Sequence, residues 1–178
     1  PLGLAIGHRH ITLSTCGLAD RIKMLADERL QITLSVSLHA PNDEKRSAIM
    51  PVNRRFSIAD LMEACRYYIK KTNRRISFEY TLIDGVNDTA AEARALVKLL
   101  SGLLCHVNLI PVNDTGNDRI RQGSRESVER FQKWLTQGGI PATIRREMGS
   151  DIRAACGQLR AEAEAGTQET NPICPVIE

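Results

Sequence analysis

Apolar and polar residues alternate most clearly in the stretch Leu30–Asn42, LQITLSVSLHAPN. This alternation, with many β-branched side chains, is typical of a strand. Pro41 has no amide hydrogen and cannot extend a central strand, so the chain must turn there. The pattern therefore predicts a buried strand whose last residues, Ser37, Leu38 and His39, lead into a turn.

Strand-like and helix-like patterns alternate along the rest of the chain. Alternation predicts further strands at Ile11–Ser14, Arg75–Ile83, His106–Ile110 and Ala142–Arg146. Helical spacing predicts helices at Asp20–Glu28, Asn42–Met50, Ser57–Lys71, Thr89–Leu100 and Arg125–Gln137, with Ser57 and Ser124 as N-caps. Such repetition implies an α/β fold with about five mostly parallel strands and helices outside. Five strands are too few for an eight-stranded barrel. Of an open sheet and a partial (βα) barrel, we favour the partial barrel.

Polar residues occupy three of the predicted strand ends, where an apolar strand needs none: Ser14, then Ser37 with His39, then Asn113. Each has a structural explanation when taken alone, because serine and asparagine often form turns. Parallel strands direct their carboxyl ends to one mouth, so together the residues predict a site for a polar ligand. Glu79 lies in a strand that is otherwise apolar, and it faces either this mouth or the outer surface.

Cys156 stands among small residues in the segment Gly149–Leu159, GSDIRAACGQL. Small neighbours leave the thiol accessible, and the nearby Arg153 would favour the thiolate. The alternative is a small buried hydrophobic residue, and spacing alone does not make this cysteine catalytic. Three other cysteines lie in or beside predicted elements and are expected in the core: Cys16, Cys65 and Cys105.

Composition narrows the class of protein. The 178 residues suffice for one domain, and 42% hydrophobic residues can form a core. A net charge of +3 makes no strong case for nucleic acid. The sequence shows neither a membrane-spanning apolar run nor a secretory signal, which favours a cytoplasmic protein without a membrane partner. Five cysteines without short paired spacing argue against a zinc cluster and a disulfide framework.

Four motifs, in order along the chain, resemble those of a known family: ITLST at Ile11–Thr15, SLHAPND at Ser37–Asp43, NLIPVN at Asn108–Asn113 and ACGQL at Ala155–Leu159. They resemble the radical S-adenosylmethionine (SAM) adenine methyltransferases of the RlmN type. These enzymes methylate carbon-2 of an adenine in 23S ribosomal RNA and, in some bacteria, in transfer RNA. The resemblance implies that residues 1–162 are the carboxyl-terminal part of a radical SAM core with its catalytic cysteine loop. Residues 163–178 are expected to be a disordered tail.

The resemblance implies roles for six residues. Cys156 would carry the methyl group, and five residues would contact SAM: Ser14, Ser37, Leu38, His39 and Asn113. In the family's scheme, one SAM methylates the cysteine thiolate. A 4Fe–4S cluster reductively cleaves a second SAM, and the resulting radical activates the S-methyl group for addition to adenine. The resemblance implies 23S rRNA and transfer RNA as partners, together with an electron donor such as flavodoxin or ferredoxin. It also implies that the protein is a monomer.

The sequence departs from this family in what it lacks. The CxxxCxxC cluster motif, the glycine–glutamate segment that holds the SAM amino group and the resolving cysteine are absent from these residues and belong upstream of Pro1. We therefore expect no ligands for the metal cluster in this chain, and no cleavage of SAM by the chain alone. Three alternatives stay open: a carbon-8 methyltransferase of the same family, a non-catalytic module that binds RNA or a partner, and an unrelated barrel enzyme with a nucleophilic cysteine.

Overall fold

The computed structural model describes residues 7–112 and 123–145. Several sequence predictions fall outside these ranges and are not tested by them. They concern Asn113, Cys156, most of the loop at 114–123 and the tail at 163–178. Within the described ranges, none of the helices is long and apolar enough to cross a membrane.

Strands and helices alternate in the predicted order. The strands are β1 (Thr12–Thr15), β2 (Thr33–Ser37), β3 (Ile76–Leu82), β4 (Cys105–Pro111) and β5 (Ala142–Ile144). The helices are α1 (Ala19–Asp27), α2 (Asp43–Ile49), α3 (Ile58–Thr72), α4 (Ala90–Leu100) and α5 (Arg125–Gln137). Short 3₁₀ turns at His8–His10 and Pro51–Arg54 complete the described structure.

Helix starts follow the capping residues in the sequence. The predicted cap Ser57 accepts a hydrogen bond from the Asp60 amide, and the Asp60 carboxylate accepts one from the Ser57 amide. This reciprocal capping box satisfies amides that the first turn of α3 leaves free. Asn42, Thr89 and Ser124 cap α2, α4 and α5 in the simpler way, through one side-chain oxygen. Local sequence therefore sets where these four helices begin, whereas α1 begins after Leu18 without a side-chain cap.

The five strands form one parallel sheet in the order β1-β2-β3-β4-β5. Strands that are consecutive in the chain are also neighbours in the sheet, so every crossover runs in the same direction across the sheet. Right-handed crossovers then place the connecting helices on one face. The observed sheet confirms the predicted α/β class with parallel strands and helices outside.

Strand residues that point toward the helices form the core. Along β3, buried and half-buried residues alternate from Ile76 to Leu82. Phe78 and Tyr80 have no exposed surface, and the Tyr80 ring stacks on Phe131 of α5 at 5.4 Å between centroids. The opposite face of the sheet carries the residues between these positions. It is called the open face below, because no described helix of the chain covers it.

The predicted strand Leu30–His39 is shorter in the structure, where β2 ends at Ser37. Its pairing ends because the Leu38 and His39 amides both donate to the Glu79 carbonyl, at 3.0 and 3.3 Å, and His39 then takes a left-handed φ of 58°. The last strand likewise ends at Ile144 rather than Arg146. The structure thus keeps each predicted strand and shifts its ends by a few residues, since β1 and β4 end one residue later than predicted.

The expectation that Cys16 lies in the core is wrong. Cys65 and Cys105 are buried, but Cys16 is exposed. It directly follows β1, which is at one edge of the described sheet, and β1 is exposed over most of its length. Even Leu13, in register with the fully buried Leu34, is 40% exposed.

Candidate functional site

Two rows of polar side chains cross the open face of the sheet. Strand register places Ser14, Ser35, Ser77 and His106 side by side in one row, and Ser37, Glu79, Asn108 and Thr143 in the next. The second row lies nearer the carboxyl ends of the strands. Apolar strands need no such residues for packing, and hydroxyl, amide and carboxylate groups are suited to binding a polar ligand.

Glu79 lies on the open face, which resolves the orientation that the sequence leaves open. Its carboxylate accepts hydrogen bonds from the Ser35 hydroxyl at 2.8 Å and from the Asn108 side-chain amide at 2.8 Å. These donors belong to the strands on either side of β3, so they fix the carboxylate between them. Among the described residues, no Lys or Arg forms a salt bridge with it.

The turn after β2 has an unusual backbone. The Ala40 amide donates to the Leu38 carbonyl at 2.8 Å, which closes a three-residue γ-turn centred on His39. A non-glycine residue with φ of 58° is strained, and such strain concentrates at functional sites. Leu38 points its side chain into the core, where it has no exposed surface. Its amide donates to the Glu79 carbonyl and its carbonyl accepts from the Ala40 amide, so both backbone groups have partners in the turn.

His39 is held as a neutral imidazole with one proton position. The Thr81 amide donates to its Nδ1 at 3.0 Å, so in the neutral ring the proton is on Nε2. Burial, with the nearby Arg46 charge, lowers the pKa of His39 to about 4, while Glu79 opposes this shift. At neutral pH the side chain therefore offers an Nε2–H donor and carries no charge.

Asn87, which sequence reasoning missed, stabilises this turn from the next loop. Its side chain has no exposed surface and donates to the His39 carbonyl at 2.8 Å and the Thr81 carbonyl at 2.7 Å. Its oxygen accepts from the Ile83 amide at 2.7 Å. One buried amide thus joins the ends of β2 and β3. The sequence signal is only an asparagine in a polar turn, which gives no indication of these distant partners.

Arg46, also missed by sequence reasoning, joins the ends of β1 and β2. Its fully buried guanidinium donates to the Cys16 carbonyl at 2.8 Å and the Ser37 carbonyl at 3.1 Å. Gly17 makes room for it, because a Cβ there would lie 2.8 Å from Nη2 of Arg46, and its φ is +103°. The positive charge of Arg46 is therefore directed at backbone carbonyl groups and is not exposed to a ligand.

Of the predicted SAM-contacting residues, Ser37 and His39 lie at the carboxyl end of β2, and Ser14 lies on the same face in the row farther from that end. Ser14 is exposed on β1, and its register partner Ser35 precedes Ser37 by two residues on the same face. His39 follows at the turn. Asn113 and Cys156 lie outside the described residues. Within residues 7–112 and 123–145, no three His, Cys, Asp or Glu side chains are grouped as a metal site requires.

The chain is similar to several RNA methyltransferases, although no protein-family model matches it. It is 56% identical over 158 residues to a "probable dual-specificity RNA methyltransferase RlmN" from Clostridium perfringens, covering 89% of this chain and 46% of that protein. The protein of the same name from Caldanaerobacter subterraneus is 58% identical over 160 residues, with coverage of 90% and 47%. The chain thus spans about half the length of these relatives.

Solved structures share the fold. A radical SAM methyltransferase from Sphaerobacter thermophilus superposes with a TM-score of 0.84 at 54% identity, over 88% of this chain and 46% of that one. A domain of a pyruvate-formate lyase-activating enzyme from Bacteroides vulgatus superposes with a TM-score of 0.59 over 76% of this chain and 80% of that one. At 18% identity, the latter shows a common fold alone.

Three findings indicate the same family: the high identity to several relatives, the sheet shared with a solved methyltransferase and the four ordered motifs. The structural match also confirms the predicted partial barrel. Over the matched half of those proteins, this chain resembles the RlmN-type radical SAM methyltransferases.

Proposed function

We propose that the protein containing this chain uses SAM to methylate carbon-2 of an adenine in 23S ribosomal RNA, and in transfer RNA as well. The observation that carries the proposal is the polar open face, which ends in Ser37 and the strained His39 turn at the carboxyl edge of a parallel sheet. That edge is where barrels of this kind hold ligands. The relatives' name, dual-specificity RNA methyltransferase, supports the choice of RNA.

In this proposal SAM lies across the mouth. Ser14 and Ser37 offer hydroxyl groups, His39 donates through Nε2–H, and Asn113 adds an amide from beyond β4. Leu38 contributes through its backbone, because its side chain is in the core. The residues fit a ligand rich in hydroxyl and amino groups, since the open face presents both donors and acceptors.

Cys156 is proposed to carry the methyl group to the base. Its thiolate would attack the methyl carbon of SAM and break the bond between that carbon and the ligand sulfur, giving S-methylcysteine and S-adenosylhomocysteine. Transfer through a protein sulfur is reasonable because carbon-2 of adenine is a poor nucleophile and does not attack SAM directly. Arg145 is exposed just after β5. With Arg146 and Arg153, it is proposed to contact RNA phosphates.

The described residues do not fit a 4Fe–4S cluster, because Cys65 and Cys105 are buried and Cys16 is exposed at the β1 edge. This part of the chain therefore serves SAM binding. Our proposal for the whole protein is a cytoplasmic monomer that receives electrons from a flavodoxin or ferredoxin. We expect this chain alone, with iron and reductant, to release no deoxyadenosine.

The proposal is tested in a hybrid in which this chain replaces the matching 46% of the Sphaerobacter methyltransferase. The hybrid is expressed in a bacterium whose own enzyme of this type is deleted. Mass spectrometry of nucleosides from 23S and transfer RNA should find 2-methyladenosine in both. It should be lost with Cys156→Ala and kept with the control Cys16→Ala.

The other outcomes separate the alternatives. 8-Methyladenosine in place of 2-methyladenosine would assign the carbon-8 reaction. Methylation that survives Cys156→Ala would contradict the cysteine intermediate. An unmodified RNA pool from a folded, SAM-binding hybrid would favour the non-catalytic binding module.

A further inference from the structure

The Glu79 carboxylate is the one carboxylate in the two rows of the open face and forms no described salt bridge, while the Arg75 and Arg46 cations act on His106 and His39 nearby. Its neighbours in the two rows of the open face are hydroxyl and amide groups, together with His106, whose pKa burial lowers. Glu79 also lies in register with Ser37, one of the proposed SAM contacts. A fixed negative charge without a described cationic partner favours a cationic ligand over a neutral one of the same shape.

SAM and its product differ in this respect. SAM carries a sulfonium cation, whereas S-adenosylhomocysteine is a neutral thioether with the same adenosine and amino acid groups. When a thiolate takes the methyl group, the electron pair of the broken carbon–sulfur bond stays on the ligand sulfur, and the positive charge there is lost. Any attraction between that charge and Glu79 is lost in the same step.

We propose that Glu79 makes the site bind SAM more tightly than S-adenosylhomocysteine. This difference in affinity favours the replacement of S-adenosylhomocysteine by a second SAM. The inference rests on the proposed function, in which one SAM methylates Cys156 and a second must follow it. Glu79 is then a specificity-determining residue that acts by charge. Ser35 and Asn108 position the Glu79 carboxylate by donating hydrogen bonds to it from the two neighbouring strands.

The hydrogen bonds of Glu79 make Glu79→Gln a well-matched test. Glutamine keeps the length of the side chain, and its oxygen can accept from the Ser35 hydroxyl as before. A flip of the Asn108 amide lets that side chain accept from the new amide group. The variant therefore removes the charge and leaves the hydrogen bonds in place.

Calorimetry on the hybrid carrying Cys156→Ala, without reductant so that SAM is neither demethylated by the cysteine nor reductively cleaved, measures the dissociation constants of both ligands. Glu79→Gln should raise the dissociation constant of SAM by about tenfold and that of S-adenosylhomocysteine by less than about twofold, as expected for a charge pair near the protein surface. Glu79→Asp, which keeps the charge, should keep most of the preference. Ser37→Ala should weaken both ligands equally, because it removes a hydrogen bond rather than a charge.

In the Cys156→Ala hybrid with Glu79 intact, raising the salt concentration to about 1 M should reduce the preference for SAM, since ions screen the attraction. This measurement needs no change at Glu79. Equal weakening of both ligands by Glu79→Gln, or a preference that salt leaves unchanged, would overturn the inference while leaving SAM binding intact. If the folded hybrid binds neither ligand, the proposed function itself is contradicted.

Discussion

The two faces of the same sheet follow different rules. On the face toward the helices, Phe78 and Tyr80 are fully buried and pack against aromatic and aliphatic groups. On the open face, the alternate residues Ser77 and Glu79 are half-buried and polar. Successive residues of one strand therefore differ in role: those on one side stabilise the core, and those on the other are proposed to bind the ligand. Substitutions one residue apart should separate these purposes.

The largest expected effect is on the covered face. Phe78→Ala should lower the free energy of unfolding by about 3–5 kcal/mol, because it removes a fully buried ring and leaves a cavity. Its neighbour Ser77→Ala, on the open face, should change it by less than about 0.5 kcal/mol. Urea unfolding of the chain measures both. Equal losses at the two positions would contradict the division between the faces.

Asn87 is the polar counterpart of Phe78, because it joins the two strand ends from within the core. Asn87→Ala should lower the free energy of unfolding by about 2–3 kcal/mol, since it leaves the Ile83 amide and two buried carbonyls without this partner. The exposed Asn73 gives a control, and Asn73→Gly should be nearly neutral because its φ of 51° suits glycine. A neutral Asn87→Ala in urea unfolding would disprove the role of Asn87.

His39 should make stability depend on pH. Its folded pKa of about 4 lies below its ordinary value of 6.5, so between these pH values the unfolded chain binds a proton that the folded chain does not. The contribution is complete above pH 6.5 and is lost as the pH falls toward 4, by about 2 kcal/mol. The difference between wild type and His39→Gln across this range isolates it.

Nitrogen NMR of the imidazole checks the same residue independently. Nδ1 should lack a proton and Nε2 should carry one at neutral pH, as the Thr81 contact requires. A protonated Nδ1, or a stability difference that does not change with pH, would contradict the arrangement of the turn.

The smallest expected effect is at the mouth. Ser37→Ala in the hybrid should weaken SAM by about threefold to tenfold, the value of one hydrogen bond. Ser77 lies in the row farther from the mouth and two strands away from Ser14, so Ser77→Ala should leave the dissociation constant unchanged. If the two variants weaken SAM equally, the ligand does not lie at the carboxyl edge.

The sequence predicted the fold well because its signals are local. Alternation in β3 and the caps Ser57 and Ser124 are read from a few neighbouring residues, and each was confirmed. Strand ends were less well predicted. The early end of β2 depends on the Glu79 carbonyl, which is distant in sequence and becomes a neighbour only through the sheet.

The site was predicted in part for the same reason. Ser14, Ser37 and His39 were expected to converge because parallel strands run in one direction; Ser14 and Ser37 lie on one face, with Ser14 one row farther from the carboxyl edge, and their contact with SAM stays a prediction. The orientation of Glu79 and the roles of Asn87 and Arg46 depend on contacts between separate strands and loops. Motif spacing carries no information on such contacts, so only the folded structure could supply them.

The most direct test of the account is a crystal structure of the hybrid with SAM bound. The account predicts that the adenosyl group lies against the open face at the carboxyl edge, within hydrogen-bonding distance of the Ser37 hydroxyl and Nε2 of His39. SAM bound elsewhere, with this edge of the sheet empty, would contradict it.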